Sequence, residues 1–284
     1  MVTVRVKEQS VFPVSERQPI VEAASSSILG TRNVQQDACW LTLNGQHHEL
    51  LAVVCDGMGG LSGGEQASQN SIQAIAEMYR QSAPVSDVPE FFRQAAMTLN
   101  QVVMSLTTPE GNPLNAGTTI VAVLIQHDQL YWFSIGDSRI YFLRNCEAYP
   151  CCEEHNYETM LRKMLASGEI TPEEAAADPT RRDALTSYLG MQNMQLVEIS
   201  ENPTKLEPGD LLILCSDGLY KSLSDDEIRR IAIENQMDLH YAADALTAAA
   251  LSHAHGAQDN TTVILVKYNG DPFKTQYFGD SMSE

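Results

Sequence analysis

The stretch Leu50-Leu51-Ala52-Val53-Val54-Cys55 is a strand-length apolar run that ends in Asp56-Gly57. A second run, Leu211-Leu212-Ile213-Leu214-Cys215-Ser216, ends the same way in Asp217-Gly218. A third, Tyr131-Trp132-Phe133-Ser134-Ile135-Gly136, ends in Asp137. Two more aspartates stand just before such runs: Asp37 ahead of Ala38-Cys39-Trp40, and Asp259 ahead of Asn260-Thr261-Thr262-Val263. Working outward, the segments 20–25, 38–43, 49–55, 118–126, 129–135, 139–143, 211–215 and 261–267 read as strands, rich in β-branched, leucine and aromatic residues and mostly bounded by turn residues. Asn44-Gly45 separates two of them as a hairpin turn, and His127-Asp128 separates another pair. Connections this tight imply antiparallel pairing. In antiparallel neighbours the end of one strand lies beside the start of the next, so all five aspartates can gather at one end of the sheets.

Helical spacing covers 64–81, 88–106, 155–167, 225–234 and 239–255. Thr171-Pro172-Glu173-Glu174 is a helix start, with a Thr cap and Pro at the first position. Hairpin-linked strands come in two groups, with one helix pair between them and another near the end. Two sheets packed together with helices outside would bury both kinds of face. The expected fold is α+β, a four-layer α/β/β/α sandwich of two antiparallel sheets flanked by helices. Residues 1–268 are expected to form a single domain. The polar, Glu-rich segment 146–190 reads as an insertion lying on the body, and 269–284 as a tail.

With 18 Lys and Arg against 37 Asp and Glu, the formal net charge is −19. A polyanion would be repelled before any base was read, so nucleic acid is excluded as a partner, and an anionic membrane surface is disfavoured. No apolar stretch reaches membrane-helix length, and Met1–Glu8 carries no signal-like apolar region. None of the six cysteines forms a C-x-x-C pair, and four sit in or beside apolar runs. That usage predicts a reducing, cytoplasmic compartment and no zinc site.

One Asp-Gly is normally a turn. Five carboxylates at one edge are different, because like charges within about 4–6 Å resist ionisation together. Few basic residues lie near them in sequence, apart from Arg32 and Arg139. Mg²⁺ or Mn²⁺, which prefer carboxylate, carbonyl and water oxygens, would resolve the repulsion. Two such ions can turn a water into a nucleophile near neutral pH.

These residues resemble the metal-dependent serine/threonine protein phosphatases of type 2C, the PPM family, in its bacterial form. The resemblance runs from about residue 20 to residue 267 with seven motifs in family order. They are Gly30-Thr31-Arg32-Asn33-Val34-Gln35-Gln36-Asp37; Val54-Cys55-Asp56-Gly57-Met58-Gly59-Gly60; Gly117-Thr118-Thr119; Gly136-Asp137-Ser138-Arg139; Leu185-Thr186-Ser187-Tyr188-Leu189-Gly190; Pro208-Gly209-Asp210 with Cys215-Ser216-Asp217-Gly218-Leu219; and Asp259-Asn260-Thr261-Thr262-Val263. By position, the resemblance implies that Asp56 bridges two metal ions and the Gly57 carbonyl binds one. Asp217 and Asp259 would bind the other, and Asp37 would hold metal-bound waters. Asp137 with Asp217 would help to hold a weaker third ion, and Arg32 would grip the substrate phosphate. It implies a hydroxide bridging the two ions, in-line attack on phosphorus and no covalent phosphoenzyme. The substrates implied are phosphorylated proteins, those of a serine/threonine kinase. The segment 146–190 resembles the family's mobile flap.

The sequence departs from the family at Gln35 and Gln36, where Asn and Glu or Gln are usual, and has Met58 where some members carry a histidine, so no general acid is assigned. Glu153-Glu154-His155-Asn156 matches the acidic-histidine motif only loosely and takes no catalytic role. Gly60-Leu61-Ser62-Gly63-Gly64 fits G-x-S-x-G, but Ser62 stands seven residues past Cys55 rather than at the strand end, which disfavours an esterase. An aspartyl-phosphate enzyme commonly has a second acid two positions after its nucleophile, and Met58 and Leu219 stand there. The non-enzyme alternative is a pseudophosphatase that binds phosphoproteins or a kinase; the presence of all five aspartates favours the enzyme. His47-His48 reads as solvated, His253 and His255 as helix-end residues, and Cys151-Cys152 as an exposed, unremarkable pair.

Overall fold

The computed structural model describes residues 20–45, 48–59, 63–177, 181–254 and 256–270. In chain order the elements are β1 (Val21–Ile28), β2 (Asp37–Asn44), β3 (Glu49–Gly59), α1 (Gly63–Ser82), α2 (Val88–Met104), β4 (Ala116–Thr118), β5 (Ile120–Gln126), β6 (Gln129–Ile135), β7 (Arg139–Arg144), β8 (Glu147–Pro150), α3 (Tyr157–Ser167), α4 (Pro172–Ala176), β9 (Glu198–Ile199), β10 (Thr204–Lys205), β11 (Leu211–Cys215), α5 (Asp217–Tyr220), α6 (Asp225–Glu234), α7 (Leu239–His253) and β12 (Thr261–Tyr268). One sheet has five strands in the order β1-β12-β11-β7-β8. The other has seven: β10-β6-β5-β3-β2 in sequence across the sheet, with β4 added on β3 and β9 on β6. Every pairing between these strands is antiparallel.

Side-chain alternation sorts these strands into layers. Leu50, Ala52 and Val54 of β3 meet Leu212 and Leu214 of β11 and Ile264 and Val266 of β12 between the two sheets. Leu51, Val53 and Cys55 point the other way, under Ile75, Phe92 and Leu99 of α1 and α2. Ile213 and Cys215 point outward beneath Ala242, Ala243 and Leu246 of α7. Strands covered on both faces need apolar residues at every position, and this explains the unbroken runs 50–55 and 211–215. The expected four-layer sandwich is the observed one.

The structure corrects parts of the expected picture of 146–190. Its start is strand β8, paired to β7, and its end is anchored by reciprocal backbone bonds between Thr118 and Leu189. His155, Ser187 and Leu189 are buried. Cys151 and Cys152 are not exposed: they pack against the layer between the sheets, and burial pushes their thiols up to about 12 and about 11. The capping box at Thr171 is present as expected. Asn269, assigned to the tail, still donates its backbone N–H to Ile20, and the tail beyond residue 270 lies outside the described residues.

Candidate active site

All five aspartates lie at one end of the sandwich, and the pairing of strands puts them there. Asp37 opens β2 directly opposite Asp56 in the β2–β3 register. Cys215, the last residue of β11, pairs with Val263 of β12 on one side and with Arg139 of β7 on the other. Asp217, Asp259 and Asp137 therefore emerge at the same edge of the five-stranded sheet.

The threonine and asparagine motifs are clamps for these acids. The Asp56 carbonyl accepts from Thr118 Oγ1 at 2.9 Å and from the Thr119 N–H at 2.8 Å. Thr119 Oγ1 accepts the Asp56 N–H and lies 2.7 Å from Ser138 Oγ, joining the Asp56 corner to Asp137. Ser216 Oγ donates to Asp37 Oδ2 at 2.7 Å and accepts the Thr262 N–H, a link from one sheet to the other. Asn260 receives the Gln36 N–H on Oδ1 and donates Nδ2 to the Leu29 carbonyl, which fixes the opening loop against the start of β12. Gln258 does similar work on Gly218 and Thr261, a role the sequence did not announce. Gln35 donates to Ser27 and Ile28, and Gln36 donates to Gly59, so both departures from the family pattern serve the loop.

Electrostatics make the cluster costly without cations. Burial, with the charges of Asp217 and Asp259, pushes the Asp37 carboxyl up to about 7 against the hydrogen bonds from Ser216 and Thr262. Burial, then the charges of Asp37, Asp217 and Asp137, hold Asp56 well above the carboxylate range. Asp137 is raised to about 6 by burial and Asp217, with Lys221 pulling the other way. Asp37 Oδ1 is buried and has no hydrogen-bond partner among the described residues. An orphaned carboxylate oxygen among mutually repelling acids fits a site for hard divalent cations and their waters. Among the described residues no three acidic, histidine or cysteine side chains already form a closed ligand set. Two of the acids are instead turned to basic partners: Asp259 Oδ2 to Arg32 at 2.7 Å and Asp217 Oδ2 to Lys221 at 2.5 Å.

Arg139, near these acids in sequence, pairs instead with Glu154 and Asp225 and stacks 3.6 Å over the Tyr220 ring. Lys221 takes its place. A cleft of about 320 Å³ is lined by Asp56, Met58, Asp137, Asp183, Asp217 and Lys221, among others. Asp183 and Lys221 were missed from sequence. Lys221 follows Asp217 by four residues, a signal usable only once 217–220 is known to be helical; Asp183 lies in a polar segment with no pattern to single it out. The motif residue Ser62, like His47 and His255, lies outside the described residues. His155 is buried, with Nδ1 accepting the Gly136 N–H at 3.1 Å, so it supports the loop before Asp137.

Residues 26–254 match the family described as protein phosphatase 2C. The protein phosphatase PhpP of Streptococcus pneumoniae is 31% identical over 221 residues, covering 77% of this chain and 86% of its own. The serine/threonine phosphatase of S. agalactiae superposes with a TM-score of 0.74 at 27% identity, over 87% of this chain and 99% of that one. The catalytic domain of the serine/threonine protein phosphatase PstP, solved in complex with two manganese ions, superposes with a TM-score of 0.68 at 27% identity, over 87% and 97%. With the match spanning most of its length, the chain belongs to the protein phosphatase 2C family of PPM phosphatases.

Proposed function

We propose that this chain hydrolyses phosphoserine and phosphothreonine in proteins, as a metal-dependent protein-serine/threonine phosphatase of the cytoplasm acting on the products of a serine/threonine kinase. The observation that carries this reading is that buried Asp37 stands directly opposite half-buried Asp56, with Asp217, Asp259 and Asp137 close enough for the charges to act on one another. Asp56, the Gly57 carbonyl, Asp217 and Asp259 would hold two Mn²⁺ or Mg²⁺ ions, with Asp37 orienting their waters. The ions, when bound, offset phosphate charge and lower the pKa of a shared water. Attack would be direct on phosphorus, since the carboxylates that could serve as nucleophiles, Asp56 and Asp217, are the ones that would hold the ions. Arg32 is 59% exposed and bound to Asp259, so it can transfer its guanidinium to an arriving phosphate, for which its two-pronged donor geometry is suited. Met58 lines the cleft and carries no proton to give, so solvent protonates the leaving alkoxide.

The test is release of phosphate from a phosphothreonyl peptide, and from p-nitrophenyl phosphate, by the full chain. Activity is expected with Mn²⁺, none with EDTA, and no ³²P retained on the protein in a rapid quench. Equal rates in both buffers would remove the metal, retained label would remove direct attack, and silence in both would leave a phosphoprotein-binding module. Asp56→Ala and Asp217→Ala are each expected to lower turnover by roughly 10²-fold or more.

A further inference from the structure

Lys221 stands at the outer wall of the same cleft. Its ammonium is 2.5 Å from Asp217 Oδ2, and the charges of Asp137 and Asp183 also act on it. The placement is built in. Asp217 opens α5, and the Lys221 N–H caps that turn by donating to the Asp217 carbonyl at 3.0 Å, so carboxylate and ammonium share one helical face. The preceding Tyr220 donates its hydroxyl to the Asp137 carbonyl at 3.0 Å, with its ring held under Arg139. This joins the Asp137 corner to the α5 turn. The inner acids are different: the charges that act most on Asp37 and Asp56 are carboxylates.

We infer that Lys221 is a resident cation, its ammonium paired to Asp217 in the cleft that Asp137 and Asp183 also line, where the family resemblance would put a weaker third metal ion, so that this chain binds two divalent ions and not three. A divalent ion entering there would have to expel the ammonium from Asp217 or lie against it, cation beside cation. The three donors of an ammonium can serve several carboxylates at once. A tethered charge is always present, whereas a weak ion depends on its concentration. The inference rests on the two-ion reading above.

The experiment counts Mn²⁺ per chain at saturation, by equilibrium dialysis and elemental mass spectrometry, on the full chain. Wild type and Lys221→Arg are expected to hold two ions. Lys221→Met and Lys221→Gln, which remove the charge at a side chain 44% exposed and therefore spare the core, are expected to hold three. Lys221→Met combined with Asp137→Asn should return to two. A third ion in wild type overturns the inference, as does a count of two in both folded charge-removing variants. A chain that holds no Mn²⁺ at all overturns the metal-dependent reading, and this inference with it.

Discussion

Gly57 and Gly218 each follow an aspartate of the site, yet neither has a positive φ. They are required for close approach. A Cβ on Gly57 would lie 2.1 Å from the Gly64 carbonyl oxygen at the start of α1 and 2.6 Å from that of Gln36; one on Gly218 would lie 2.1 Å from the Asn260 carbonyl oxygen. All of these are backbone atoms that cannot turn aside. Gly57→Ala should therefore cost about 2–4 kcal/mol in urea unfolding and weaken Mn²⁺ binding, because the 56–57 corner must move. The neighbouring acid behaves in the opposite sense. Asp56 is held among like charges, so Asp56→Asn should raise the melting temperature in EDTA by a few degrees, on the order of 1 kcal/mol, while abolishing the further rise that Mn²⁺ gives wild type. A lower melting temperature in EDTA would mean that the amide loses more hydrogen bonding than it gains in relief of charge.

At the scale of elements, the connection from β8 to α3 is strapped over the site. The His155 N–H donates to the Gly136 carbonyl, its Nδ1 accepts the Gly136 N–H, and its carbonyl accepts from Thr186. Gly136 leads into Asp137, so this strap holds one wall of the cleft. Burial lowers the His155 pKa to about 4, with Lys163 adding to the effect and Glu153 opposing it; Glu198 lies 4.0 Å from Nε2. As pH falls below about 6.5 the unfolded chain takes up the proton first, while folded His155 stays neutral until about 4. Stability from neutral His155 is thus complete above that window and lost through it, about 2 kcal/mol by pH 5. His155→Asn, whose Oδ1 can still accept from Gly136, should be free of this loss, so its deficit against wild type should shrink between pH 7 and pH 5 in denaturant titrations. A constant deficit would place the imidazole in solvent. Legibility also divides at this scale. The long strands and helices could be read because their periodicity reflects burial on one face or two. The short strands β8, β9 and β10 could not, since two to four residues are too few for a pattern and their pairing is dictated by partners outside the run itself. The five aspartates were legible because each stands where an apolar run begins or ends, although β3 itself continues past Asp56 to Gly59; Lys221 was not, because its role depends on a single helical turn.

Across the whole molecule, the site exists because β3 and β11 belong to different sheets and each is buried on both faces. A charged group is tolerated only where such a strand leaves the core, and both leave at the same end, so the two sheets bring their acids to one opening. The surrounding protein carries 19 net negative charges. Its field should repel a phosphate monoester at long range and attract basic residues that flank one in a peptide. With a Debye length of about 8 Å at physiological ionic strength, this influence reaches only the residues next to the phosphorylated one. A phosphothreonyl peptide flanked by Lys and Arg should therefore show a kcat/KM about tenfold above the same peptide flanked by Asp and Glu at low ionic strength, with kcat nearly equal for the two. The ratio should fall towards one as salt approaches about 1 M, where the Debye length is about 3 Å. A preference that survives high salt would locate selectivity in direct contacts, and a preference for the acidic peptide would show that the cations bound at the site, with Arg32 and Lys221, outweigh the charge of the whole.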